Sequence, residues 1–212
     1  VMARGVSYDG SVIYGSAWDN TNQGMVYWKD GEVHWAGEDI REFEEVTLIR
    51  QEDGKEVPFT LTKGLMVYAE RTNISPNGKW LCAAYAVDTA TEGMHDVITS
   101  KCPAFFNTET GTTYIIDEYG PTTACGVTDD GEGFVGIGSS MCTSSIVVDV
   151  ETGIKLGTAQ EWVYDTFGIY VPDCRLELCC AGKEVITGAT PLSDAILGLV
   201  DGYFYVAPPA GK

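Results

Sequence analysis

Apolar and polar residues along this chain alternate over short stretches and then break at a turn dipeptide. In GVSYDGSVIYGSAW, Gly5 to Trp18, the pair Asp9-Gly10 separates two runs rich in β-branched and aromatic residues. That is a hairpin pattern, because Asp-Gly favours tight reversals. It returns as NISPNGKWLCAAY from Asn73, as GVTDDGEGFVGIG from Gly126 and, more loosely, as LELCCAGKEVITG from Leu176. A second turn follows each copy, at Asp30-Gly31, Thr110-Gly111, Thr152-Gly153 and Asp201-Gly202. Counted from Gly10, Gly78, Gly131 and Gly182, the second turn glycine lies 21, 33, 22 and 20 residues on, so three copies agree closely in spacing and the second carries an insertion.

Around these turns lie runs of strand length: VIYGSAW, MVYWKD and EVHWAG in the first copy, WLCAAYAV, AFFNTE and TTYIID in the second. The third gives FVGIG, SIVVDV and IKLGTA, and the fourth VITGA, AILGLV and YFYVA. With the strand before the first turn, each copy holds four strands, and four-stranded units at roughly 50-residue spacing mark propeller blades. The expected fold is therefore all-β, a β-propeller-like array of about four four-stranded antiparallel blades. It fills a single domain, 1–212, with repeats at roughly 2–37, 65–117, 122–159 and 175–207 and an insertion at 38–64. The only helical signal is a turn around GEDIREFEE.

The segments ISPNGKWLCAAY and FFNTETGTTYII resemble the WD-like repeats of TolB-type propellers, whose blades carry an SPDG turn, a strand and later a TG turn. VSYDGSVIYGSAW with MVYWKDGEV resembles the HAF-type extracellular repeats of bacterial surface and exported proteins. Both resemblances imply a bacterial envelope setting: periplasm, cell surface or secretion. Copy four departs from them, with Ala181-Gly182 in place of an Asp-Gly or Asn-Gly turn and one extra residue before its Thr187-Gly188, the mark of a bulge.

Composition narrows the partners. With 31 acidic against 13 basic residues the formal net charge is -18, so the field around the chain repels phosphate backbones and anionic lipid surfaces. Nucleic acid is excluded as a partner, and a glycan or an envelope protein is expected. No apolar run approaches the roughly 20 residues that span a bilayer, so no membrane insertion is expected within this chain. The first residue is Val1 rather than Met, which reads as a processed or excised piece of a longer product. Seven cysteines at 82, 102, 125, 142, 174, 179 and 180 form no CxxC pair, so no metal site and no cofactor are expected. Cys82, Cys125, Cys179 and Cys180 fall in predicted strands as buried thiols, while Cys102, Cys142 and Cys174 fall nearer loops.

In a blade, the short DG and TG turns lie on one face and the remaining connections on the other. Those remaining connections are Ser16 to Gly24, Ala84 to Cys102, Ile137 to Ser145 and Ala189 to Asp194 within blades, and Gly37 to Gly64, Asp117 to Thr122 and Gly157 to Cys174 between them. They are long and unequal, as a rigid scaffold carrying a variable binding surface would have them. That face would gather Trp18, Asp19, Asn20 and Asn22 from copy one, His95 and Asp96 from copy two, Ser139 from copy three, and Trp162, Tyr164 and Asp165 before copy four. Aromatic rings beside short polar side chains stack on sugars and bond their hydroxyls, or anchor a protein partner. Trp18 and Trp162 could equally cap the hydrophobic layers between blades. The acids Glu38, Asp39, Glu42, Glu44 and Glu45 read as a solvated charge run, and His34 as a packed or edge residue.

No GxSxG elbow, Walker loop, HExxH or GxGxxG is present. No catalytic residue is expected. The leading expectation is a non-catalytic binding or scaffold propeller module of an exported bacterial protein. The alternatives are a propeller carbohydrate-active enzyme using paired carboxylates, and the gating domain of a larger peptidase.

Overall fold

A computed structural model describes residues 2–18, 23–67, 74–120, 122–137, 144–168 and 170, and the strands at 175–178, 186–189 and 203–206. The chain is mostly β. Among the described residues, its strands form four antiparallel sheets whose spatial neighbours are also neighbours in sequence. β1 (Met2–Val6), β2 (Val12–Trp18), β3 (Gln23–Lys29) and β4 (Glu32–Trp35) make the first sheet. The second comprises β5 (Glu42–Ile49), β6 (Glu56–Met66), β7 (Trp80–Ala90), β8 (Val97–Asn107) and β9 (Thr113–Ile115). The third comprises β10 (Ala124–Val127), β11 (Glu132–Ile137), β12 (Ser144–Asp149) and β13 (Lys155–Thr158). The fourth comprises β14 (Arg175–Leu178), β15 (Ile186–Ala189) and β16 (Tyr203–Val206).

Three of the repeated first turns share one bonding scheme. Val12 N donates to Ser7 Oγ and Trp80 N to Ser75 Oγ, each at 2.9 Å, and Glu132 N donates to Thr128 Oγ1 at 3.1 Å. The glycine amide then closes each turn onto the carbonyl of the same hydroxyl residue, at 3.0, 2.9 and 3.1 Å. Ser7, Ser75 and Thr128 are buried, and a buried hydroxyl that satisfies a strand-end amide removes the cost of leaving it bare. The turns also touch one another, Tyr8 N donating to Pro76 O at 2.7 Å and Asn77 N to Asp129 Oδ1 at 3.0 Å.

Between the sheets lie apolar layers. Tyr14, Met25 and Tyr27 of the first sheet pack with Leu65, Leu81 and Phe106 of the second. Trp80, Cys82 and Phe105 leave the second sheet's other face to meet Val135, Ile146 and Val148 of the third. Strand residues point alternately to opposite faces, so burial on both sides explains why WLCAA and AFF are continuous apolar runs. Each fully buried large side chain contributes roughly 1.5–3 kcal/mol.

The turn expected around GEDIREFEE is there as a single 3-10 turn, Glu38–Ile40, and strand β5 follows it. Several other local expectations are corrected. The presumed insertion 38–64 is largely the β5–β6 hairpin, and the presumed loop from Ala84 to Cys102 is the outer half of the β7–β8 hairpin. Cys102 therefore lies in a strand, and burial, with Asp117 nearby, raises its thiol pKa above the usual value. The segment following β13 is α1 (Ala159–Phe167), not a loop. Thr158 caps it: its Oγ1 accepts from Glu161 N while Glu161 Oε2 accepts from Thr158 N, a capping box that the residues TAQE encode. Among the described residues, Tyr203–Val206 pairs directly with β15, a place the expected strand order gave to AILGLV. AILGLV, Cys142, Cys174, Cys179 and Cys180 lie outside the described residues.

Candidate functional site

The first two sheets leave a groove between them of about 640 Å³. β3 and β4 supply Tyr27, Val33, His34 and Trp35, the turn after β4 supplies Gly37, Glu38 and Asp39, and the second sheet supplies Phe106 and Gly111. Tyr27 and His34 are direct partners across the β3–β4 ladder, and their rings stack with centroids 5.0 Å apart and planes 26° from parallel. Phe106 closes this aromatic wall, 5.5 Å from Tyr27. Burial raises the Tyr27 pKa, so its hydroxyl stays protonated and able to donate.

The acids reach the groove through Gly37. Its φ of 64° is the left-handed conformation that glycine takes most readily, and it turns the chain from β4 directly into Glu38–Ile40. Glu38 and Asp39 are both exposed there. Arg41 folds back over Trp35 with its guanidinium carbon 3.7 Å from the ring centroid, a cation–π contact that holds the indole in place. The result is aromatic surface beside two carboxylates that only accept hydrogen bonds when ionised. Such a site suits a polyhydroxylated ring, whose C–H faces stack on aromatics while its hydroxyls donate to the acids.

A second cavity of about 550 Å³ runs along α1, lined by Leu156, Gln160, Glu161, Tyr164, Asp165 and Tyr170. Tyr164 and Tyr170 stack across it at 4.3 Å. Tyr164 and Asp165 are thus brought together on the exposed side of the helix. Trp162, on the same helix, points the other way: it is 9% exposed, packs edge-on against Phe134 and donates from Nε1 to Glu132 Oε2 at 3.0 Å. Trp18 ends β2 and is 53% exposed. His95 and Asp96 sit in the turn between β7 and β8, where His95 Nδ1 lies 2.9 Å from Ile49 O and Asp96 N donates to Thr91 Oγ1. Asp19, Asn20, Asn22 and Ser139 lie outside the described residues.

Sequence reasoning missed the groove because its members were weighed singly, His34 as an edge residue and Glu38-Asp39 as solvated charge. The available signal was HWAGED, in which aromatic residues, a turn glycine and acids follow one another within six positions. Among the described residues no three His, Cys, Asp or Glu side chains are grouped to hold a metal. No family model, no curated protein and no solved structure matches the chain.

Proposed function

We propose that the chain is a non-catalytic binding module of an exported bacterial protein, that its sheets are propeller blades, and that it holds a glycan in the groove between the first two. The observation that carries the binding reading is the Tyr27–His34–Phe106 wall facing Glu38 and Asp39 across one cavity. The blade reading is supported by sheets built from consecutive strands and by the bonds linking successive first turns. It is supported too by a row of apolar residues in register on the far face of the first sheet, Val6, Ile13 and Trp28. Leu81 and Phe106 occupy the matching row of the second sheet and are buried against the first, so a closing blade would cover the earlier row in the same way. The bacterial envelope setting follows from the TolB-type and HAF-type resemblances.

The test is a thermal-shift titration with soluble polysaccharides and cell-wall fragments, since a ligand selective for the folded state raises Tm by mass action. One glycan class is expected to give a saturable rise that Trp35→Ala and Glu38→Gln each abolish. A rise that survives both substitutions would place the ligand elsewhere. The two carboxylates in one cavity favour, as the second reading, a glycoside-cleaving enzyme, which requires them roughly 5–10 Å apart across the substrate. Turnover of the bound glycan, lost in Glu38→Gln and in Asp39→Asn, would select it.

A further inference from the structure

Strand β5 forms one edge of the second sheet. Two hydrogen bonds fix which way its backbone faces. Arg50 N donates to Lys55 O at 2.9 Å, closing the β5–β6 hairpin, while Ile49 N turns away from β6 to Met94 O at 2.7 Å. Bonded and non-bonded pairs alternate along an antiparallel ladder. Leu48, Val46, Glu44 and Glu42 therefore bond to β6, and Ile49, Thr47, Glu45 and Phe43 aim their amides and carbonyls outward. The tip of the β7–β8 hairpin covers only Ile49. Among the described residues the outward groups of Phe43, Glu45 and Thr47 meet no backbone partner.

We infer that this edge accepts an extended, basic peptide segment of a partner protein as an additional strand. Main-chain donors and acceptors supply affinity in strand addition, and the flanking side chains choose the partner. Here the choice is electrostatic. Glu42, Glu44 and Glu45 lie along β5, and the whole chain carries -18. A second copy is the poorer occupant: antiparallel self-pairing centred on Glu44 or Glu45 sets that acid against its own copy, and like charges directly opposed across strands are destabilising. Phe43, 41% exposed, shares its face with Glu45 and Thr47. The incoming strand therefore covers an apolar ring beside one acid on that face and meets Glu44 on the other, while Glu42 is already ion-paired with Lys63 at 2.7 Å. This surface stands independently of the glycan groove.

The probe is a fluorescein-labelled peptide alternating lysine and valine, long enough to span Phe43 to Thr47, titrated into the full chain by anisotropy. Binding is expected to weaken as salt rises and to fall at least about tenfold in Thr47→Pro, which removes one outward donor. That substitution leaves the charge and the β5–β6 ladder intact, because proline is tolerated where a strand's amide faces solvent. Hydrogen exchange on the unmutated chain gives a second readout that does not depend on the variant folding. Saturating peptide is expected to slow exchange at Phe43, Glu45 and Thr47, while Glu44 and Val46 are slow with or without it. Equal binding by a glutamate–valine peptide, unchanged affinity in a folded Thr47→Pro, or outward amides that exchange as fast as in the free chain would each overturn the inference.

Discussion

Alanine substitution at three glycines separates backbone strain from inter-sheet packing. Gly111 has φ 72° and open space where a Cβ would sit, so Gly111→Ala isolates the left-handed backbone term, about 1 kcal/mol. At Gly133 the backbone is ordinary but a Cβ would fall 2.5 Å from Phe105 Cζ and 2.8 Å from Val150 Cγ2, so Gly133→Ala isolates overpacking, about 1–3 kcal/mol. Gly78 combines both, with φ 74° and a Cβ position 2.6 Å from Val12 Cγ2 on the first sheet. Its alanine variant is expected to lose roughly 2–4 kcal/mol, a Tm drop of about 4–16 °C for a chain of this size. Urea unfolding followed by tryptophan fluorescence measures all three, with unchanged m-values as the condition for comparing them. Val12→Ala should relieve the packing part at Gly78, so the double variant is expected to be more stable than the two single losses predict. A Gly78→Ala variant no worse than Gly111→Ala would refute the contact between the second sheet's first turn and the first sheet.

Two further substitutions test local chemistry. Thr158→Ala removes the capping box of α1 and is expected to cost about 0.5–2 kcal/mol, read as a lower Tm; an unchanged Tm would detach α1 from the cooperative fold. The Ser11 amide, then the Ser11 and Ser7 hydroxyls, hold the Asp9 carboxyl down at about 2 from an ordinary 3.8. A depressed carboxyl stabilises the fold fully above its unfolded value and loses that contribution as pH falls through its folded value. Asp9→Asn is therefore expected to flatten the acid side of the stability profile between those two values while keeping the turn. Asn77 already makes equivalent bonds, its Oδ1 accepting from Ser75 Oγ and Lys79 N at 2.9 Å. Identical acid profiles for the variant and the unmutated chain would count against the bonding around Asp9.

The repeated turns were legible because their chemistry is local: Asp-Gly, Asn-Gly and Thr-Gly pairs carry the left-handed glycine, and the amides of Gly10, Gly78, Gly111, Gly131 and Gly153 donate to carbonyls three or four positions back. Strands buried on both faces were legible as apolar runs. The β5–β6 hairpin was not, since the adjacent acids Glu44 and Glu45 put charge on both faces and break the apolar–polar alternation of EFEEVTLI, although Asp53-Gly54 marked the reversal. α1 was hidden for another reason. Its burial rests on Ala159, Trp162 and Val163 alone, too few apolar positions to establish a helical period, and only the cap at Thr158 announced it. The groove required tertiary contact: Tyr27, His34 and Glu38 lie near one another in sequence, but Phe106 comes from another sheet. Trp162 had two readings, ring platform or core, and the indole bond to Glu132 together with the contact to Phe134 sets it in the core.

The most direct test of the groove as ligand site uses the five tryptophans, whose indole N–H signals resolve separately in a nitrogen–proton correlation spectrum. Titration with the glycan identified by thermal shift is expected to move the Trp35 signal saturably and to leave buried Trp80 and Trp162 in place. Movement of Trp18 with Trp35 stationary would contradict the groove and return the site to the long-loop face.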